Sequence, residues 1–410
     1  MTQTAFLRTP VCHSARSEGF ENREANTERR LITPLARLLA LYLPQYHPIP
    51  ENDAWWGPGF TEWTNVAKAR PLFRGHWQPH LPADLGFYDL RVPEVRERQA
   101  ALARDAGVEG FCYWHYWFGN GRRLLERPFQ EVLASGQPDF PFCLAWANHS
   151  WSGIWLGSPD RTLLKQEYPG RADEKAHFDL VLPAFRDARY VKIDGKPVFA
   201  VFSLLDHPDP GGFIEHWQTL AAQAGLPGIY FVAMSNRSRG SRPLAPPQEF
   251  DAVTEHGPGD YLMGLPQDSW ARRLRAVRRG SFGCRADAVL GTRFLKPERY
   301  DYEDLVRAAF SSELAKDERY VPTVLSGWDN TPRSGPRGIV FEGATPERFE
   351  RYLHKAIDLV TARPRERRIV FLKAWNEWAE GNYVEPDARF GHQYLDAMQR
   401  ALHHSEGFEK

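Results

Sequence analysis

The chain has 410 residues, of which 42% are hydrophobic and 25% charged, the balance of a globular protein, so disorder is not expected for most of its length. Acidic and basic residues number 52 each, and this neutrality gives no electrostatic reason to expect nucleic acid or an anionic membrane as partner. The 14 Trp and 15 Tyr sit largely in polar company, as in "WHYW" and "WANHSW", which suits a wet surface offering apolar contact to sugar rings.

The first 35 residues mix charge with small polar residues and hold no apolar core of signal-peptide length. They are expected to form a poorly ordered extension, with a single domain over 36–410. No window approaches eighteen apolar residues, so no transmembrane helix is expected. Cys12, Cys112, Cys143 and Cys284 show neither CxxC nor Cys/His metal spacing, which points to reduced thiols and, with the missing signal peptide, to the cytoplasm.

From Ala36 onward, apolar runs alternate with amphipathic stretches. Strands are predicted at Arg37–Tyr46, Val108–Trp117, Phe140–Asn148, Lys196–Ser203, Gly228–Ser235, Asp251–His256, Val321–Trp328 and Arg368–Trp375. Helical stretches such as "VPEVRERQAALARDAG" and "TPERFERYLHKAIDLVTARP" carry Pro near the start and Gly or Pro after the end. Eight such units predict an α/β fold, a (β/α)8 TIM barrel with long βα loops. The competing doubly wound sheet usually carries a Gly-rich phosphate turn after its first strand, and "LPQYHPIPEND" has none. Two long insertions, about Ile49 to Leu90 and about Pro258 to Arg319, could wall a cleft. The second contains the basic run "SWARRLRAVRRGSFGCRAD", read as a solvated helix face.

Catalytic groups of such barrels sit at the carboxyl ends of the strands. Here those ends carry Tyr46 and His47; His115, Tyr116 and Trp117; Asn148, His149 and Trp151; Asn236; Glu255 and His256; and Trp328, Asp329 and Asn330. Trp63 in the first insertion joins them as a candidate cleft residue. The last strand leads into "KAWNEWAEGNYVEPD", where Trp375, Asn376 and Trp378 surround Glu377 and Glu380. If the chain turns helically there, the two carboxyls are neighbours, with Cβ atoms roughly 5–6 Å apart. Glycoside cleavage uses such a pair, one to protonate the departing oxygen and one to attack or deprotonate. Like charges that close push their pKa values apart, so that one can hold a proton near neutrality. The four strand-end histidines lack ligand spacing, and no metal or cofactor is expected.

The segments "LPQYHPIPENDAWWGPGFTEW", "GFCYWHYWF", "FPFCLAWAN" and "KAWNEWAEGNYVEPD" resemble the WbsX-like proteins of bacterial surface-polysaccharide gene clusters. The similarity runs from about Leu39 to Leu402. A narrower likeness, mainly in "NEWAEG...EP", extends to glycoside hydrolase family 99, the endo-α-mannosidases and endo-α-mannanases. The resemblance implies that Glu377 acts as base toward the sugar 2-hydroxyl, which attacks the anomeric carbon, and that Glu380 serves as general acid and then base. Two positions depart from the relatives. Ala379 stands where the mannosidases usually carry histidine, and His149-Ser150 where many WbsX-like chains read Glu-Asn. The expected activity is retaining, endo-acting hydrolysis of a surface polysaccharide or its lipid-linked precursor. The alternative is a glycosyltransferase or transglycosylase of O-antigen, capsule or exopolysaccharide assembly.

Overall fold

The computed structural model describes residues 33–403 except 154–157, 204–205, 236–247, 259–261, 263–295 and 312–313. Asn236, Cys12, Cys284, nearly all of the predicted extension and the basic run lie outside the described residues. At the start of the described chain Leu35 already donates its amide to the Leu402 carbonyl.

Eight parallel strands form the frame: β1 (Arg37–Tyr42), β2 (Val108–Trp117), β3 (Phe142–Trp146), β4 (Lys196–Val201), β5 (Tyr230–Ser235), β6 (Ala252–Glu255), β7 (Thr323–Leu325) and β8 (Ile369–Lys373). They pair in the order β6-β5-β4-β3-β2-β1-β8-β7. Between β6 and β7 the ring is completed by a parallel bridge of Val253 with Tyr320, with backbone bonds from Val253 N to Arg319 O and from Val321 N to Val253 O. This is a (β/α)8 barrel. Such strands are covered on both faces, which explains runs such as "RLLALY" and "FCLAW" with almost no exposed residue. Each Leu, Val or Phe fully buried in them contributes roughly 1.5–3 kcal/mol.

The outer layer contains α1 (Pro93–Asp105), α2 (Arg127–Ser135), α3 (Arg171–Arg186), α4 (Pro210–Gln223), α5 (Tyr302–Ala308), α6 (Pro346–Thr361) and α7 (Gln393–His403). Side-chain oxygens start several of them, Asp209 accepting from Gly212 N before α4 and Thr345 from Arg348 N before α6. Cys112 and Cys143 face each other in register on β2 and β3, buried as free thiols.

Six of the eight strands end earlier than the sequence pattern indicates, β1, β3 and β7 among them. After β1, Pro44 lacks an amide for the ladder, and Leu43 bonds instead to the Asn376 side chain. β3 stops at Trp146, and Asn148 ties the turn to Ser203. After β7 the chain leaves the barrel, and Trp328–Asp329 joins a separate sheet with Glu298–Asp301 and Ile339–Glu342.

Candidate active site

Beyond β8 the chain forms a narrow antiparallel ribbon, Asn376 opposite Tyr383 and Glu377 opposite Asn382. A 3-10 turn at Trp378–Glu380 closes it. In this tighter helix residues three apart eclipse one another, which brings Glu377 and Glu380 to one side of the ribbon tip. Gly381 ends the turn in the left-handed region at φ +57°. A Cβ there would lie 2.9 Å from both the Cβ and the backbone nitrogen of Asp329. Gly381→Ala is therefore expected to displace the turn, costing at least about 1 kcal/mol from backbone strain alone. Chemical denaturation and turnover of the variant check this, and wild-type values for both would contradict it.

The aromatics around the glutamates brace them from behind. Trp378 stacks on Tyr383 at 3.7 Å between ring centres and donates its indole N–H to Glu385 at 2.6 Å. Glu385 also accepts from Tyr88 and Gln99. Burial outweighs these donors and pushes its carboxyl up to about 7. Asn376 bonds both the amide and the carbonyl of Leu43. Tyr46 donates its hydroxyl to the Asn376 carbonyl and accepts from Trp378 N. Trp63 donates to the Tyr88 carbonyl and packs on Trp378, and Trp375 is fully buried.

In front of the pair lies a cleft of about 310 Å³. Glu377, Glu380, Arg333 and Lys373 form its charged part. Its walls include Gln45, Trp56, Trp114, Tyr116, His149, Trp151, Phe202 and His256. Arg333 stands on the short helix Thr331–Ser334, which follows Asn330, whose side-chain oxygen accepts from Ile339 N at 2.7 Å. Its guanidinium bonds three carboxylates, Glu62 at 2.7 Å, Glu377 at 2.7 Å and Glu380 at 2.6 Å. Burial opposes the Arg333 charge, but the acids outweigh it and hold its pKa well above the usual value. Glu62 is buried completely and does not line the cleft; it anchors Arg333 from behind.

Burial pushes the Glu377 carboxyl up to about 7 against the pull of Arg333, with Glu380 adding to the rise. A buried acid beside a like charge is thus set near neutrality while its neighbour sits at the more open edge. Oε2 of Glu380 has the Lys373 ammonium at 3.6 Å.

Of the other candidates, Tyr116, His149, Trp151 and His256 line this cleft. His47 bonds the Pro44 carbonyl, and Asn148 bonds Tyr168 and Ser203. His115 and Trp117 face α3, where His115 meets His177 at 2.8 Å and Trp117 donates to Asp173. Glu255 accepts from Tyr320. Trp328 and Asp329 line a second hollow of about 180 Å³. Asp329 there accepts from His76, Gln78 and Thr331. Burial opposes its charge, but these bonds hold its pKa below the ordinary value.

The sequence profile of the family described as Glycosyltransferase WbsX matches residues 38–398. The chain belongs to the WbsX family. It is 38% identical over 368 residues to the uncharacterized protein WxcX from two strains of Xanthomonas campestris pv. campestris, B100 and ATCC 33913. These alignments cover 90% of this chain and 50% of WxcX, so the chain spans about half the length of the curated relatives it matches. Among solved structures, a glycoside hydrolase-like protein shares the fold, with a TM-score of 0.55 at 16% identity over 91% of this chain and 96% of its own. The GH99 endo-alpha-mannosidase of Bacteroides thetaiotaomicron, bound to bis-tris-propane, gives a TM-score of 0.49 at 13% identity, covering 89% and 95%.

This WbsX-family chain thus carries a barrel-end cleft with two acids under one guanidinium. Among the described residues no group of three or more His, Cys, Asp or Glu is arranged to hold a metal ion. Among the same residues no helix is long and apolar enough to cross a membrane. Lys373 holds a central position that the local pattern did not single out, whereas "SGWDNTPR" puts Arg333 just past a barrel strand, where the sequence reads it with Asp329 and Asn330 as a candidate for binding sugar hydroxyls; its guanidinium instead holds the three carboxylates.

Proposed function

We propose that the protein is a carbohydrate-active enzyme, a retaining glycoside hydrolase that cleaves within a surface polysaccharide or its lipid-linked precursor. The observation that carries this reading is the pair Glu377 and Glu380, side by side at the cleft with the Glu377 carboxyl set near neutrality. The likeness of "NEWAEG...EP" to family 99 supports it and supplies the roles.

In the first step Glu377 accepts the proton of the sugar 2-hydroxyl, and that oxygen attacks the anomeric carbon. Glu380 protonates the departing glycosidic oxygen as its bond to the same carbon breaks, leaving a 1,2-anhydro sugar. In the second step Glu380, now ionised, takes a proton from water. The water oxygen opens the three-membered ring at the anomeric carbon, and Glu377 returns its proton to O2. Two inversions give net retention. A base with pKa near the working pH is the effective choice for such a transfer, and the rise from the ordinary value of 4.5 to about 7 makes Glu377 more basic than a surface glutamate.

The first step requires Glu377 ionised and Glu380 protonated at once, so the pair must hold a single proton and kcat/KM is expected to fall on both sides of a bell. With the Glu377 carboxyl at about 7, one limb of that bell should lie near pH 7, approaching tenfold per pH unit beyond it. A profile with no inflection near pH 7 would remove Glu377 from the role of base. The broader test incubates the protein with polysaccharide and lipid-linked oligosaccharides of its host. Proton NMR in the first minutes should show a new reducing end in the anomeric configuration of the cleaved bond; the opposite configuration would exclude the double inversion.

The description of the family as a glycosyltransferase favours a second reading, in which a sugar hydroxyl replaces water in the second step. The same two glutamates would serve it, and only the acceptor changes. A cytoplasmic location belongs to the same proposal, since lipid-linked intermediates are made there before export.

A further inference from the structure

Lys373, the last residue of β8, reaches into the cleft with an ammonium that meets three different groups. It lies 2.8 Å from Nε2 of His256, 3.6 Å from Oε2 of Glu380 and 4.9 Å from the centre of the Trp328 ring. Lys373 and His256 are only 6% and 8% exposed, and both line the cleft. The Glu380 carboxylate and the face of the Trp328 indole both attract positive charge. An ammonium has three donors and no acceptor, so the His256 Nε2 beside it carries a lone pair.

The imidazole is therefore neutral, with its proton on Nδ1. Burial and the adjacent Lys373 also hold its pKa well below the usual value. Trp114 and Phe202 meet the ring edge to face at 5.3 and 4.9 Å, which fixes its plane. Nδ1 makes no hydrogen bond among the described residues.

We propose that Lys373 is a positioning residue whose ammonium fixes His256 in the Nδ1–H form, so that the ring donates a hydrogen bond to an oxygen of the sugar bound beside Glu380. The inference rests on the carbohydrate reading for its ligand but not for its tautomer. One side chain thereby links a recognition group just after β6 to a reacting carboxyl after β8. A sugar lacking an oxygen at that position leaves the donor unpaired and is rejected by about tenfold, the order expected for one neutral hydrogen bond.

The test uses the full chain with ring-15N histidine and long-range 1H–15N spectra, the His256 signals being identified by their loss in His256→Gln. The wild type should show a protonated Nδ1 and an unprotonated Nε2 at pH 7. Lys373→Met should shift the ring toward the Nε2–H form. Lys373→Gln, whose amide still donates, should keep the Nδ1–H form. A wild-type ring protonated on Nε2, or an unchanged tautomer in Lys373→Met, overturns the positioning role.

Methyl hexopyranosides are then titrated in, together with their mono-deoxy analogues. At least one should move the His256 signals, and one of its deoxy analogues should bind about tenfold more weakly. A correct tautomer that responds to no hexopyranoside overturns the recognition role. Failure of the wild type to hydrolyse any glycan would sink the hydrolase reading without touching the tautomer result.

Discussion

Glu377→Gln and Glu380→Gln are each expected to lower turnover of the natural glycan by roughly a hundred- to ten-thousandfold, the range for removing a positioned acid or base. Both variants should stay folded. A glutamine at 377 keeps a carbonyl oxygen for the Arg333 N–H now 2.7 Å away, and one at 380 keeps an acceptor for the contact at 2.6 Å. Because the two groups act in both steps, the double variant should be little worse than the poorer single variant. Product release followed by mass spectrometry, with circular dichroism for the fold, checks the pair. Near-wild-type turnover in either variant would remove that residue from the chemistry.

The second large effect concerns the cation that binds them together. Arg333→Met removes the shared partner of Glu62, Glu377 and Glu380 and leaves their acids together in a buried site. Breaking a buried ion pair from one side costs about 3–5 kcal/mol, so the urea midpoint at neutral pH should fall accordingly. Glu62→Gln in the same chain should recover part of the loss. The sign with pH follows from Glu377. Its folded pKa of about 7 is raised above the ordinary 4.5, so its contribution to stability is full below about 4.5 and is lost as pH rises through about 7. The variant should therefore lie closer to wild type at pH 5 than at pH 8. Equal midpoints at both pH values would mean that the three carboxylates are not held as one cluster.

The barrel was legible because its strands are covered on both faces and read as apolar runs such as "RLLALY" and "FCLAW" between helical stretches. Their ends were not, since the bonding of Leu43 to Asn376 and the departure of the chain after Leu325 to a separate sheet involve partners elsewhere in the sequence. In the candidate site, Glu377 and Glu380 stood out as acids in aromatic company just past a strand. What that company does was hidden. Trp375 and Trp378 look like sugar platforms in sequence, yet their burial and the Glu385 bond make them a brace.

β2 shows the same limit at single-residue resolution. Alternation sends Trp114 and Tyr116 to the cleft and turns His115 and Trp117 toward α3. A list of reactive types at a strand end does not fix that phase. The Arg333 clamp joins Glu62 to residues 271 and more positions away. No local spacing announces a contact of that range.

The most direct measurement of the central claim is cleavage of the host glycan in water enriched in oxygen-18, followed by mass spectrometry. Hydrolysis directed by Glu377 and Glu380 predicts shortened saccharides whose new reducing ends carry the heavy oxygen, and no such products from Glu377→Gln or Glu380→Gln. Products that gain mass from an added sugar acceptor and carry no heavy oxygen would contradict hydrolysis and establish transfer in its place.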